Sequence, residues 1–376
     1  MKVAFHIDQL WFNAPGGIGT YIGELLPALA HQEPGLKLVP FRSTFTHGPT
    51  RAVELAEPAV IVPGSLRRLY PSWDLLGRPA LPQTLATADV VHATNPAAVP
   101  PIRRGQRLVV TIHDLAFERF PELFPRDWRW LYRAGLRAAA DRADAIIVPS
   151  AATADDVASR SSFDRARIHI TPLASSVATT DDDPSDDPTE ALHRLGVPLP
   201  YILSVGTLEP RKNLVRLVRA FRQVAPEVPH ALVLAGPPGW RVQELEAEIA
   251  RPGPGTILRT GRLAGSDLDA LYRGAEAFVY PSLYEGFGLP VVEAMARGVP
   301  VVTSNVSSLP EVSGDAAVLI DPEDVSEIAE ALARVLTDAA LADDLRYRGK
   351  ERAARYTWAA TARVTLDVYR HVIGAS

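Results

Sequence analysis

The chain contains no cysteine, which excludes disulfides, thiolate nucleophiles and cysteine-ligated metal centres together. It also lacks a basic surplus. Lys and Arg number 39 against 44 Asp and Glu, a net charge of -5, and without a large cationic footprint nucleic acid is not the expected partner. No run approaches the roughly 18 apolar residues of a membrane-spanning helix. The N-terminus enters a strand-like run at residues 3–7 with no basic segment and apolar stretch before it, so no secretory leader is read there. These absences predict a cytoplasmic protein, with contact at the inner face of a membrane only as a peripheral one. No Asp-x-Asp stands at the end of a strand-like run. The acidic triplet at 181–183 falls in a Pro-containing stretch, 178–190, which cannot bury enough apolar surface to order itself and reads as a loop beside a linker.

What is present is an alternation of short apolar runs and helical patterns over 376 residues, 47% of them hydrophobic. That length exceeds one ordinary core, and the alternation predicts an α/β architecture of two doubly wound halves, each around a parallel sheet. In the first half, strands are expected at 2–7, 59–62, 90–92, 108–112, 145–148 and 168–170, with 44–88 otherwise irregular or short-helical. The second half restarts the pattern at 201–205 and continues at 232–235, 257–260, 277–280, 299–303 and 317–321. Domain limits of 1–185 and 191–357 follow.

In open α/β sheets the loops at the carboxyl ends of strands face the ligand crevice, and four of them carry chemistry. Residues 281–289 read Pro-Ser-Leu-Tyr-Glu-Gly-Phe-Gly-Leu: Gly286 and Gly288 let backbone amides approach a ligand, and the helix starting near Leu289 aims its positive end at the same spot. Glu285 precedes that helix and Glu293 lies about a turn inside it, suited to two ends of one ligand or, on the bland reading, two solvated glutamates. Gly206-Thr-Leu-Glu-Pro-Arg211-Lys212-Asn213 joins a strand to a helix. It offers an arginine fork and a lysine point charge for a phosphate, or else two solvated cations. Asn13-Ala-Pro-Gly16-Gly17-Ile-Gly19 opens a helix that runs to about His31, either a plain turn or a backbone contact for a diphosphate. His113, closing the run 108–112, is either a structural histidine or a site residue.

These segments together resemble the retaining nucleotide-sugar glycosyltransferases of the GT-B fold, the group 1 glycosyltransferases. Glu285 to Val301 fills every defined position of E-G-F-G-L-P-x-x-E-A-M-x-x-G-x-P-V, and V-G-T-L-E-P-R-K-N-L and H-D-L-x-F-x-x-F-P-E-x-F-P match further motifs. The likeness is strong over 201–321, moderate over 108–150 and weak over 40–90. It implies two Rossmann-like domains facing across a cleft, donor mainly in the second and acceptor in the first, with the segment 358–376 returning to the first. It implies that Glu285 and His113 act at the reacting sugar, alongside Gly286, Phe287 and Gly288. Arg211, Lys212, Gly17 and Leu289 would then meet the donor diphosphate, Glu293 the ribose, and Arg262 and Leu263 the nucleobase. Protein cations would stand in for a metal ion, and no other cofactor is expected. Among relatives the chain is similar to bacterial mannosyl- and rhamnosyltransferases of polysaccharide assembly, so a nucleoside-diphosphate hexose is the expected donor and a glycan or prenyl-phosphate-linked molecule the acceptor. A sugar-nucleotide epimerase of the same fold and a non-catalytic two-domain sugar-binding module are the alternatives.

One expectation comes from periodicity. On a helix over 126–142, Arg126, Arg129, Trp130, Arg133 and Arg137 share about 100° of arc, while Trp128, Leu131, Tyr132, Gly135 and Ala139 fall on the side expected to pack. The first face is either a solvated arginine stripe or a surface for anionic headgroups.

Overall fold

In the computed structural model, residues 1–51, 53–160, 163–175, 188–263 and 265–374 are described. Contacts divide the chain into two compact units, Met1–Leu173 with Thr357–Ser376, and Ala174–Tyr356. The division thus falls between Leu173 and Ala174, ahead of the expected limit at 185. The acidic run at 178–187, on which that limit was drawn, lies outside the described residues.

The first unit holds β1 (Lys2–His6), β2 (Lys37–Arg42), β3 (Val60–Ile61), β4 (Val90–Ala93), β5 (Arg107–Thr111), β6 (Ala145–Val148) and β7 (Ile168–Ile170), in the order β3-β2-β1-β4-β5-β6-β7. The second holds β8 (Tyr201–Val205), β9 (Ala231–Ala235), β10 (Ile257–Gly261), β11 (Ala277–Tyr280), β12 (Val301–Ser304) and β13 (Ala317–Ile320), in the order β10-β9-β8-β11-β12-β13. All pairings are parallel. Helices cover both faces, so the central strands are buried on each side and read as unbroken apolar runs. In each unit the strand order reverses around the first strand, β1 or β8, which opens a crevice beyond its carboxyl end.

Strand β2 was not expected, because Pro40 interrupts it and proline removes a ladder donor. Its position resolves the conflict. Lys37 N–H donates to Met1 O, whereas Arg42 O accepts from Val62 on the other side. By alternation Pro40 turns its nitrogen toward the β3 side, where pairing starts only at Phe41. Strand β12 begins at Val301, two residues after its expected start, because Val299 still donates to Ala294 O in the helix-ending turn and Pro300 follows.

The helix Arg126–Arg142 forms as expected, but Trp128 is 48% exposed and Trp130 52%. The placement of Trp128 on the packed face is therefore corrected. Packing starts about one turn later, with half-buried Leu131 and Tyr132 against the core, and continues at Ala134, Gly135, Leu136, Ala138 and Ala139. A Cβ at Gly135 would stand 1.7 Å from Pro96 O, so here the helix lies directly on the loop after β4, and its first turn overhangs. Among the described residues no helix is long and apolar enough to cross a membrane.

Candidate active site

Segment 281–288, leaving β11, ends in Gly288, whose φ of +100° caps the helix Leu289–Ala296. A Cβ there would meet Leu309 at 2.7 Å, so glycine suits both the backbone turn and the space. Arg297 and Gly298 close the helix as read from the sequence, with Gly298 at φ +66°.

Glu285 is buried with both carboxylate oxygens engaged: Oε2 lies 2.7 Å from Arg211 Nη1, and Oε1 is 2.6 Å from Lys212 Nζ. Burial alone would raise its pKa, but Arg211 and Lys212 outweigh that and hold it at about 2. Its N–H donates to Ser307 Oγ at 3.0 Å, and Ser308 Oγ sits 2.9 Å from Glu285 O and 3.0 Å from Phe287 O. Ser307 adopts φ +55°, a conformation costly for a non-glycine residue and concentrated at functional sites. Two serines on the loop after β12 thus fix the backbone of the glutamate.

The loop after β8 supplies the cations. Lys212 is 9% exposed and also donates to the Tyr280 hydroxyl; burial, then the neighbouring Arg211, pull its pKa down against Glu285 and Glu209. Tyr280 is pushed well above the usual phenol range by burial and by Glu285. Asn213 anchors the loop, its Nδ2 donating to Pro281 O and Pro322 O. The loops after β8, β9 and β10 stand side by side through Gly206 N–H to Ala235 O and Gly236 N–H to Gly261 O. Arg262 is exposed on the last of these, next to half-buried Leu263. Glu293 is buried inside its helix, one oxygen accepting from Tyr272 OH at 2.8 Å. The structure therefore brings Arg211, Lys212 and Glu285 into direct contact and adds Glu209, Tyr280, Ser307 and Ser308, which sequence reasoning missed. Glu209 lay in view within the same motif. The serines showed only as a polar cluster between a strand and a helix.

In the first unit the helix Gly16–Gln32 already includes Gly16 and Gly17, so the expected loop is its first turn, with Gly17 exposed. His113 follows β5 and its Nε2 lies 3.1 Å from Thr94 O. A carbonyl only accepts, which places the proton on Nε2 and leaves Nδ1 as the lone-pair nitrogen. Burial depresses the ring's pKa to about 4 against the opposing pull of Asp114, so it is neutral at pH 7. Tyr21 meets its edge at 4.9 Å. Behind Tyr21 runs a buried polar chain: Tyr21 OH to Thr111 Oγ1 at 3.1 Å, Thr111 Oγ1 to His92 Nε2 at 2.7 Å, and His92 Nδ1 to Tyr369 OH at 2.6 Å.

A buried carboxylate held by two cations at a glycine-started helix lies at the carboxyl ends of a parallel sheet, where ligands of open α/β folds bind. Comparison with known proteins identifies the family. Residues 193–352 match the model "Glycosyl transferases group 1" and residues 15–174 the model "Glycosyltransferase Family 4". The chain belongs to the group 1 glycosyltransferases and is a glycosyltransferase of the GT-B fold. It is 35% identical to O-antigen chain mannosyltransferase B of Escherichia coli over 71% of each chain. It is also 32% identical to the serotype-specific mannosyltransferase WbdA of Escherichia coli over 63% of this chain, spanning 30% of that longer protein. Among solved structures, HepE of Anabaena, in complex with UDP and glucose, superposes with a TM-score of 0.74 at 19% identity over 98% of each chain.

Proposed function

We propose that this glycosyltransferase is a hexosyltransferase that moves mannose, or failing that rhamnose, from a nucleoside-diphosphate donor to a glycan or prenyl-phosphate-linked acceptor, with retention and without a metal ion. The observation that carries the reading is the Glu285 carboxylate, ionised and fixed between Arg211 and Lys212 at the start of the helix Leu289–Ala296. Each of its oxygens has a second lone-pair direction, so it can accept from sugar hydroxyls while keeping both cations. Charge developing on the departing diphosphate meets the Lys212 ammonium and the amides at the helix N-terminus, the role a metal would otherwise fill. Gly17 supplies backbone from the first unit, Glu293 takes the ribose, and the Arg262–Leu263 backbone faces the base. Neutral His113 offers a lone pair to a sugar hydroxyl. With no second carboxylate placed as a nucleophile in this reading, attack comes from the leaving-group face, and the leaving phosphate takes the acceptor's proton. The names of the Escherichia coli relatives support mannose and a polysaccharide acceptor.

The test is a panel of nucleoside-diphosphate sugars incubated with a mannan-type acceptor in EDTA, with the new linkage read by NMR. Transfer of one hexose with the donor's anomeric configuration supports the reading. An inverted product, or activity that needs added magnesium or manganese, overturns that part of it, and an epimerised donor formed without acceptor selects the epimerase instead.

A further inference from the structure

Within this donor-site reading, the two adjacent cations do different work. Arg211 is wrapped along the segment that carries Glu285: its carbonyl accepts from Leu283 N–H at 2.9 Å, its Nη1 donates to Tyr284 O at 2.8 Å, and the same nitrogen lies 2.7 Å from Glu285 Oε2. Three consecutive residues are thus held by one arginine. The opposite side of the guanidinium is occupied by Glu209, whose Oε1 is 2.9 Å from Nε and 2.6 Å from Nη2. Glu209 is itself buried at 7% exposure. It is held by the packed loop, where Lys212 N–H donates to Glu209 O and Leu208 N–H to Pro237 O. The planar fork is therefore committed at both ends to carboxylates and a carbonyl. Lys212 is placed otherwise, since its ammonium has Glu285 and Tyr280 as partners and lies beside Gly206, where a Cβ would be 3.9 Å from Nζ. Those two partners take up two of the three N–H groups of the ammonium, leaving the third for a ligand.

We propose that Arg211 is not a diphosphate ligand but a positioning residue, anchored by Glu209, that sets the Glu285 carboxylate and its loop against the donor sugar, leaving Lys212 as the side-chain cation for the diphosphate. Arginine suits this task because its rigid fork holds two carboxylates at once, which a lysine cannot. The ionisable groups around Glu285 are Arg211, Lys212, Tyr280 and, through Arg211, Glu209. Removing Arg211 deletes one of the two charges that hold Glu285 low, so its pKa rises toward the ordinary 4.5.

The experiment compares Arg211→Met, Arg211→Lys, Glu209→Gln and Lys212→Met in the full chain. Binding of GDP and of UDP is measured by calorimetry, and turnover by steady-state kinetics on the donor found in the panel. The Arg211 and Glu209 variants are expected to bind the preferred nucleoside diphosphate within about threefold of the parent, whereas Lys212→Met loses roughly 10- to 150-fold, as one charge-assisted contact implies. In Arg211→Met, kcat is expected to fall about 100-fold, the scale of a displaced reacting group, with donor KM little changed and the acid limb of kcat displaced to higher pH. Arg211→Lys, which keeps the charge and so guards against a folding defect, should keep the acid limb near the parent's while still losing turnover. Equal loss of nucleotide affinity in Arg211→Met or Arg211→Lys and in Lys212→Met, with kcat spared, would show that Arg211 binds the diphosphate and overturn the assignment. If neither nucleotide binds the parent chain, the donor-site reading itself fails, an outcome separate from any difference between the variants.

Discussion

Glu285 shows how far a single residue could be read ahead of the structure. Its glycine neighbours and the helix beyond announced a ligand-facing turn, and Arg211 and Lys212 announced an anion site. That Glu285 would lie on those same two cations was hidden, because the contact joins two loops whose approach depends on β8 and β11 being adjacent. The φ of Ser307 was equally invisible, since nothing local to serine predicts it. Lys212 gains weight from its scarcity: only four lysines, at 2, 37, 212 and 350, occur among the 39 cations. Glu285→Gln is expected to cut kcat by two or more orders of magnitude, about 3 kcal/mol or more of transition-state stabilisation, with nucleoside diphosphate affinity changed only a few-fold. Near-parent turnover by Glu285→Gln would remove it from the reaction.

At the same scale, buried His92 and half-buried His113 make a pH prediction. Burial depresses His113 to about 4 and His92 to about 3, against 6.5 in the unfolded chain, so between those values the unfolded state binds more protons and stability rises with pH. Each histidine contributes stability that is fully present above about 6.5 and lost as pH falls toward its folded value. Urea titrations from pH 7.5 to 4.5 should show the first unit weakening on acidification, and His92→Gln should flatten that slope. An identical slope in the variant would locate the proton uptake elsewhere. Activity should show no limb near 6.5 from His113, since it stays neutral through that range.

Among elements, the strands were mostly legible because a buried parallel strand leaves little choice but an apolar run. Strand β2 escaped because edge pairing, not propensity, decides whether Pro40 is tolerated. The helix Arg126–Arg142 was legible in its limits and in its arginine face, yet not in its overhang, since periodicity assigns faces without saying where the neighbouring layer begins. That overhang changes the surface. Trp128 and Trp130 are both about half exposed, and Arg126 and Arg137 lie exposed on the same helix, with Arg133 paired to Glu118 at 2.6 Å. We expect this helix to dock weakly on anionic membranes, with each cation near the surface contributing about 1 kcal/mol and the Trp130 indole, which shares the arginine face, entering the headgroup layer. Co-sedimentation with phosphatidylglycerol-containing vesicles should decline between low and high salt. It should also be lost in an Arg126/Arg129/Arg137→Glu variant that still folds; binding indifferent to salt and to that variant would mark the face as merely solvated.

For the molecule as a whole, the two-unit plan followed from length and from the repeated alternation, but the position of its seam did not. The first unit takes its helix Trp358–Gly374 from beyond the second, and that helix buries Thr361, Ala362, Thr365, Leu366, Val368, Tyr369 and Val372. Thr361 Oγ1 donates to Pro172 O at 2.6 Å, and Tyr369 ends the polar chain from His92. Leu366, Val368, Tyr369 and Val372 alone represent about 6 kcal/mol or more of burial, comparable to the whole margin of a typical domain. A chain stopped after Tyr356 should keep a protease-resistant second unit and lose the first. A truncated protein whose first unit resists digestion as the parent's does would contradict this.

The same seam dictates an order of events during synthesis. The helix Gly16–Gln32 leaves the ribosome early, yet a surface it packs on is encoded by 358–374. The second unit emerges as an uninterrupted insertion, free to fold as soon as it is translated. Its elder neighbour stays unfinished until Tyr369 has been made. A newborn chain is consequently most open to chaperones and proteases in its oldest part, and a ribosome that stalls late yields a complete second unit joined to a first unit that has not closed its core.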